Sequence, residues 1–543
     1  MGARGRHPRD GDRLAHDEPL RVALLAAPGL SADLSAPLPA PAVTRVPLLA
    51  GSRLVVVTAA DDALVLRPPP PGDAVADVGA AVRDALRFPL AGEPLEALVS
   101  RGARVTIVVE PPQLPLPGTE QDPRQAAIAA AVDELERLGI PTGYQTLLVA
   151  GGLARRAGGE QLETLVSPEF ARRFHGHVEV HDVEREDLVE IGTSNSIPLR
   201  VHPSLVRTDA VVVVSAAETV LHGGPAALVG AASREVLRAA GAYSLLETSA
   251  SQGWRLGLEL ERALVRRVPL IGASLVLNHP RFSGTLSGYP YEEQALERIV
   301  RSPFRHLFRM LPGALRAYVL RSLPLERSVA AAFAGPPSVA HTEALLRGVE
   351  LRGITLDREL DAVFVGVPRT TPYLPRERPN PLLGAYLGLG IALRLWRNSF
   401  PLAEGGTAIL LHRFQRHFSH PTQQPYRAFF AASRTGGPEA SALAAAEAAA
   451  GADVRALEAY RAARTCHPLL PFVDWDGCQP ALGRLGHVII AGCRDHAAAR
   501  QLGFVPTHGI GPALTMARGW TERPPRVGFL LSPPYFPLRV ASD

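Results

Sequence analysis

Apolar residues fall along this chain in two alternating rhythms, short continuous runs and longer stretches spaced at three and four residues. The alternation predicts strands followed by helices. Leu20–Ala26 and Arg53–Thr58 read as short strands, and the proline run Pro68–Pro71 as a linker or turn. Gly79–Arg87 then reads as a helix and Arg104–Val109 (RVTIVV) as a strand. Pro123–Leu138 is a helix with Gly139 as its stop, and Thr146–Ala150 the next strand. Gln161–Phe174 is helical, His177–His181 a strand, and Thr208–Val214 (TDAVVVV) the most continuous apolar strand of all. Runs of Val, Ile and Leu without a polar face belong to strands buried on both sides, as in a parallel sheet covered by helices.

A second series starts at Pro269–Asn278 (PLIGASLVLN) and continues through Leu360–Val367, Gly406–Leu411 and His487–Ala491. Between its first two strands, Phe282–Ala334 is basic, proline-punctuated and scattered with aromatics, and reads as an insertion. Gly437–Ala463 is an alanine-rich helical segment, and no repeat of fixed period appears. A length of 543 residues exceeds one ordinary core. The pattern predicts an α/β fold of two domains with mainly parallel sheets. A polar tail spans 1–20, an N-terminal α/β domain 21–270, and a C-terminal α/β domain 271–520 with its insertion at about 282–334. A C-terminal tail covers 521–543.

Composition changes this picture in three ways. All 57 basic residues are arginine, so a Schiff base, a lysine nucleophile or a lysine-tethered cofactor is chemically impossible. A net charge of +4 with no arginine–aromatic run gives no expectation of a nucleic-acid partner. Apolar runs such as Ala385–Trp396 are too short to span a bilayer, so no membrane partner is expected. The first twenty residues lack the apolar core of a signal peptide, and three cysteines make no disulfide framework. Both features predict a cytoplasmic protein.

Several segments, in order, resemble the nickel-dependent lactate racemase family. These are DALRFPLAGEPLEALVSRGARVTIVVE (Asp84–Glu110), ELERLGIPTGYQTLLVAGG (Glu134–Gly152) and the long stretch from His177 to Glu218. FAGPPSVAHTEALLRGVE (Phe333–Glu350) and GFVPTHGIGPALTMARG (Gly503–Gly519) follow them. The resemblance implies two Rossmann-like domains and a place in the 2-hydroxy acid racemase and epimerase superfamily. The family's chemistry is hydride transfer to a nickel-pincer nucleotide tethered to a lysine, with two histidines exchanging the hydroxyl proton.

Carried over residue by residue, that machinery is largely replaced. The family's D-x-T-R-P falls on Pro111, Gln113 and Leu114, with Pro115 and Pro117 matching. Its G-T-H-R keeps Gly152 and Arg155 but has Ala154 at the histidine. Its E-P-H keeps Glu218 but has Val220 at the histidine, with His222 two residues on. Gly230 stands at the tethering lysine and Leu246 at the nickel-ligand histidine. The family's Y-Q-x-x-K keeps only Tyr386, with Leu387 and Gly390 following. The resemblance therefore implies the family's scaffold with a degenerate or rebuilt active site, to which no cofactor attaches through lysine.

SAAETVLHGGPAALVG (Ser215–Gly230) holds the remaining candidate chemistry, an acid and a histidine at a strand end, leading through two glycines into a helix. Glu218 and His222 are the expected acid/base pair. Glu110, Gln113, Gly152, Arg155, Gly223 and Gly224 are the expected ligand contacts, because free N–H groups at a helix start seat a phosphate or carboxylate. A small carboxylate or a nucleotide in the interdomain cleft is the expected partner. The alternatives are an enzyme of different chemistry using an untethered cofactor, and a non-catalytic interaction protein. His175, His177 and His181, the trio His412, His417 and His420, and the region Cys466–His496 lack metal-ligand spacing, so no metal site is expected.

Overall fold

Six strands gather into a first sheet whose spatial order is Val329–Gly335, Leu270–Leu277, Ala210–Ala216, Val105–Val109, Gln145–Val149 and His177–Val180. This is a computed structural model. It describes residues 44–59, 63–116, 122–154, 165–323, 325–368, 380–416, 418 and 423–541. All neighbouring pairs in the first sheet are parallel except the edge strand Val329–Gly335, which runs antiparallel to Leu270–Leu277. Taken in chain order the strands lie 3-2-1-4-5-6, the doubly wound arrangement. The order reverses between Val105–Val109 and Ala210–Ala216.

A second sheet orders Val505–Thr507, Leu485–Ala491, Leu402–Leu411, Leu360–Gly366, Val527–Leu530 and Leu64–Leu66, all parallel. Sheet membership does not follow a division at residue 270. The strand Leu270–Leu277, read from sequence as the opening of the second series, pairs in the first sheet. Val329–Gly335, expected inside the insertion, closes that sheet's edge. Leu64–Leu66 and Val527–Leu530, expected in the N-terminal domain and the C-terminal tail, are strands of the second sheet. Such exchanges were invisible to periodicity, which reports that a strand is buried but not its partner. The alanine-rich segment is two helices, Ala440–Gly451 and Val454–Arg461, the second capped by Asp453. The expected strand Leu20–Ala26 lies outside the described residues.

Local chemistry sets the helices. Asp77 caps Val78–Arg87 by accepting from Ala80 N, and Asp122 caps Pro123–Arg137, which begins with proline at its first position. Gly139, at φ 83°, ends that helix in a left-handed turn. The two sheet systems share one apolar cluster, in which Leu114, Leu153, Val220 and Leu246 pack with Leu382, Leu383, Phe414 and Phe429. Backbone bonds cross the same junction, from His467 N to Leu153 O at 3.0 Å and from Leu245 N to Arg394 O at 2.8 Å.

The helix Pro337–Arg352 packs directly on Leu270–Leu277, and Gly272 makes the approach possible. A β-carbon there would lie 2.8 Å from the Pro337 Cα, a backbone atom with no freedom to yield. Gly272→Val is expected to lower stability by about 1–3 kcal/mol, read as a shift in the urea midpoint at unchanged m. An unchanged midpoint would show that the helix does not depend on this contact.

Candidate functional site

Two loops leave the carboxyl ends of the strands at the point where the first sheet's order reverses, the position where open α/β sheets bind ligands. The loop after Val105–Val109 carries Glu110 and Gln113, and the loop after Ala210–Ala216 carries Glu218, His222, Gly223 and Gly224. Between them and the helix Leu470–Leu482 lies a cavity of about 130 Å³. Glu110, Gln113, Gly152 and His222 line it, and Tyr386 and Asp474 close it from the side of the second sheet. Four of the eight expected site residues therefore meet there. Glu218, Gly223 and Gly224 stand behind the wall, and Arg155 lies outside the described residues.

Glu218 is not free to exchange a proton with a ligand. One carboxylate oxygen accepts from Gln113 N at 2.8 Å and Leu114 N at 3.3 Å. The other is 3.0 Å from an Arg124 guanidinium nitrogen and 3.9 Å from one of Arg327. Asp122 completes the group, 3.1 Å from Arg124 and 3.3 Å from Arg327. All four side chains are buried. Burial pushes the Glu218 carboxyl up, but the charges of Arg124 and Arg327 outweigh it and hold it down at about 2. Its role is to fasten the 110–114 loop.

The glycine pair is also consumed by the protein. Gly223 N donates to Glu110 Oε2 at 2.5 Å and Gly224 N to Ser215 Oγ at 3.0 Å. Both residues have positive φ, and a β-carbon on either would run into His341 at 2.3–2.4 Å. The expected anion seat is thus a turn that lets the helix Pro337–Arg352 approach. His341 is held there by Ser274 Oγ at 3.1 Å and Thr219 O at 3.0 Å.

Burial shifts the groups that face the cavity toward their uncharged forms. Burial pushes Glu110 up to about 8 against the opposing Gly223 N–H and Arg124 charge, so it is protonated at pH 7. Burial raises Asp474 to about 7, with the Tyr426 hydroxyl donating to it at 2.6 Å. His222, bonded through Nδ1 to Thr219 Oγ1 at 2.8 Å, is held down at about 4 by burial and is a neutral imidazole. Sequence reading missed Asp474. The available signal was a lone acid in LPFVDW, an otherwise apolar stretch of helix.

The cofactor positions implied by the resemblance are closed by packing. A β-carbon on Gly230 would lie 3.0 Å from Ala150 O and 3.1 Å from Glu110 Oε1, so the Glu110 carboxyl fills the path of a tether. A β-carbon on Gly390 would strike the Tyr386 ring at 2.3 Å. Leu114, Val220 and Leu246, standing at the arginine, histidine and nickel-ligand positions, are buried in the shared apolar cluster. Among the described residues no three His, Cys, Asp or Glu side chains are grouped to hold a metal. The residues present do not fit a tethered nickel-pincer nucleotide. Of the other histidines, His181 is buried and bonded to Ala232 O at 2.9 Å, while His175 and His177 are exposed. His412 is buried, and His417 and His420 lie outside the described residues. A larger hollow of about 530 Å³, lined by Thr58, Arg518 and Arg523 among others, lies away from all of these groups.

Comparison with known proteins agrees with the sequence resemblance. Residues 51–250 match the model of the lactate racemase N-terminal domain. The lactate racemase apoprotein of Thermoanaerobacterium thermosaccharolyticum superposes with a TM-score of 0.58 at 13% identity, covering 92% of this chain and 100% of that one. A protein from Thermotoga maritima covers 87% of this chain and 100% of its own at TM-score 0.47 and 13% identity. No curated protein matches the sequence. The chain is lactate-racemase-like, with that family's N-terminal domain over 51–250 and the apoprotein's fold across most of its length. No helix among the described residues is long and apolar enough to cross a membrane.

Two outcomes follow from the buried charges. Glu218→Ala leaves Arg124 and Arg327 sharing Asp122 alone, and is expected to cost about 3–5 kcal/mol in chemical denaturation. Glu110 acts in the opposite sense, because its folded pKa lies above its unfolded one. The stability it allows below the ordinary carboxyl range is lost as pH rises toward about 8. Glu110→Gln, which keeps an acceptor for Gly223 N–H, should match the parent near pH 5 and exceed its Tm at pH 9. Parallel curves at both pH values would show that Glu110 titrates normally.

Proposed function

We propose that this lactate-racemase-like protein binds a small carboxylate in the Glu110–His222–Asp474 cavity and handles protons there without a tethered nickel nucleotide. The observation that carries the reading is the closed tether path at Gly230, occupied by the same Glu110 carboxyl that lines the cavity. A volume of about 130 Å³ holds roughly four waters' worth of matter at ~30 Å³ each. Pockets for drug-sized ligands run to roughly 300–1,000 Å³, so the size favours a short hydroxy or keto acid over a nucleotide.

The chemistry supports the same class. Protonated Glu110, joined by Asp474 below about pH 7, offers an O–H donor to a carboxylate, and neutral His222 offers an imidazole nitrogen to a hydroxyl proton. A carboxyl kept protonated beside an imidazole kept neutral is the arrangement of a general acid with a general base. Ala154 and Val220 cannot move protons, so the family's two-histidine exchange has no counterpart at its own positions.

Isothermal titration with lactate and its short homologues tests the reading. Binding is expected below about pH 7 and should weaken as pH passes 8, where ionised Glu110 repels the ligand. Glu110→Gln should bind with a flatter pH profile, because an amide N–H still donates. Intact mass of protein from its own host should equal the mass of the unmodified chain. A covalent nucleotide adduct, or no saturable binding of any short carboxylate between pH 5.5 and 7, would overturn the proposal.

A further inference from the structure

The expected insertion places three consecutive helices on the surface, Glu293–Arg301, Phe304–Met310 and Gly313–Arg321. They are anchored from beneath. Leu296 packs with Val46, Leu48 and Val57 of the hairpin Arg45–Ala50/Arg53–Thr58, and Phe308 and Ala317 are buried. Their outer side is unusually apolar. Phe304 is 59% exposed, Leu307 55%, Met310 80%, Leu315 44% and Tyr318 60%. Isolated exposed apolar residues need no explanation, but five large ones lie between Phe304 and Tyr318 on two successive short helices.

On the two helices that carry these residues the charges have one sign, while the exposed Glu293 and Glu297 lie on the preceding helix and Glu326 beyond the last one. From Arg298 to Leu325 the sequence holds six arginines (298, 301, 305, 309, 316 and 321) and no aspartate or glutamate. Arg301 pairs with Glu297 at 3.0 Å. Among the described residues Arg298, Arg305, Arg309 and Arg316 have no carboxylate partner, and Arg316 donates instead to the carbonyls of Arg309 and Leu311 at 2.9 Å. Arg53 of the supporting hairpin adds to the same field. Its guanidinium is held below its ordinary value by partial burial and by the neighbouring charges of Arg316 and Arg494.

We propose that the Phe304–Tyr318 face docks on an anionic lipid surface, with Phe304, Leu307, Met310, Leu315 and Tyr318 entering the interface and Arg305, Arg309 and Arg316 meeting headgroup phosphates. Three arginines among mainly aliphatic bulky side chains, too few aromatics to make an arginine–aromatic run, match the composition of interfacial amphipathic helices. A nucleic-acid groove would match the charge but would leave Leu307, Met310 and Leu315 in water. This is a surface contact and not a span. The expectation of no membrane partner rested on the length of apolar runs, which does not detect such a face.

The test is flotation of the full-length protein with vesicles of phosphatidylcholine alone or mixed with phosphatidylglycerol. Capture is expected on the mixed vesicles, with little on the neutral ones, and it should fall as salt rises from about 50 to 300 mM. The double variant Arg305→Ser/Arg309→Ser should weaken capture by more than about tenfold. Phe304→Ser/Met310→Ser should abolish it, with Tm and lactate titration unchanged because these side chains are exposed and far along the chain from the cavity residues. Equal capture on neutral vesicles, no capture on anionic ones, or capture indifferent to both variants would overturn the proposal. So would a dimer, or retained RNA, that the same substitutions dissolve in the absence of lipid binding.

Discussion

The group Asp122, Arg124, Glu218 and Arg327 brings together parts of the chain more than two hundred residues apart, and the cavity's geometry depends on it. Asp122 caps the helix Pro123–Arg137, Glu218 follows the central strand, and Arg327 precedes the antiparallel edge strand. Removing such groups from water costs several kcal/mol each, recovered only while every charge keeps its partners. Two acids and two guanidinium groups balance, and the N–H groups of Gln113 and Leu114 occupy the remaining Glu218 oxygen. The loop bearing Glu110 is therefore fixed against the loop bearing His222. Arg352, buried and bonded to Ala217 O at 3.3 Å, supports the second loop from the helix above it.

Fixing those loops accounts for the dense packing around them. The Glu110 carboxyl lies against Gly230 and the Tyr386 ring against Gly390, and Leu114, Val220 and Leu246 belong to a continuous core. Interiors tolerate few voids, because unfilled volume costs dispersion contacts as well as burial. These packing side chains tie the two sheet systems together through the shared cluster.

Much of this was legible in the residues. The strands at 53–58, 105–109 and 210–216 and the helix from Pro123 appear within about two residues of their periodicity; at 105–109 and 210–216 burial on both faces leaves no polar position to blur the edges. The order of motifs pointed to the lactate racemase N-terminal domain, whose model matches residues 51–250. Sheet partnership was not legible, since Leu270–Leu277 and Val527–Leu530 are equally apolar whichever sheet they join. Nor was the state of Glu218. Its match to a family acid gave no sign that Arg124 and Arg327, distant in sequence, would neutralise it. Gly223-Gly224 resembled a ligand turn, but its backbone conformation serves the approach of His341. Asp474 escaped notice because its neighbours, Tyr426 and the cavity, come from other segments.

The groups lining the cavity feel the charges packed around it: Glu218, Arg394 and Arg124 act on His222, and Arg124 and Glu218 on Glu110. Burial outweighs these charges, holding Glu110 up at about 8, Asp474 up at about 7 and His222 down at about 4. A guanidinium clamp fixes a carboxylate by charge and by two parallel bonds. The carboxyls of this cavity differ from such a clamp in that their charge changes with pH, so the character of the wall that Glu110 and Asp474 form is set by the pH of the solvent across the neutral range.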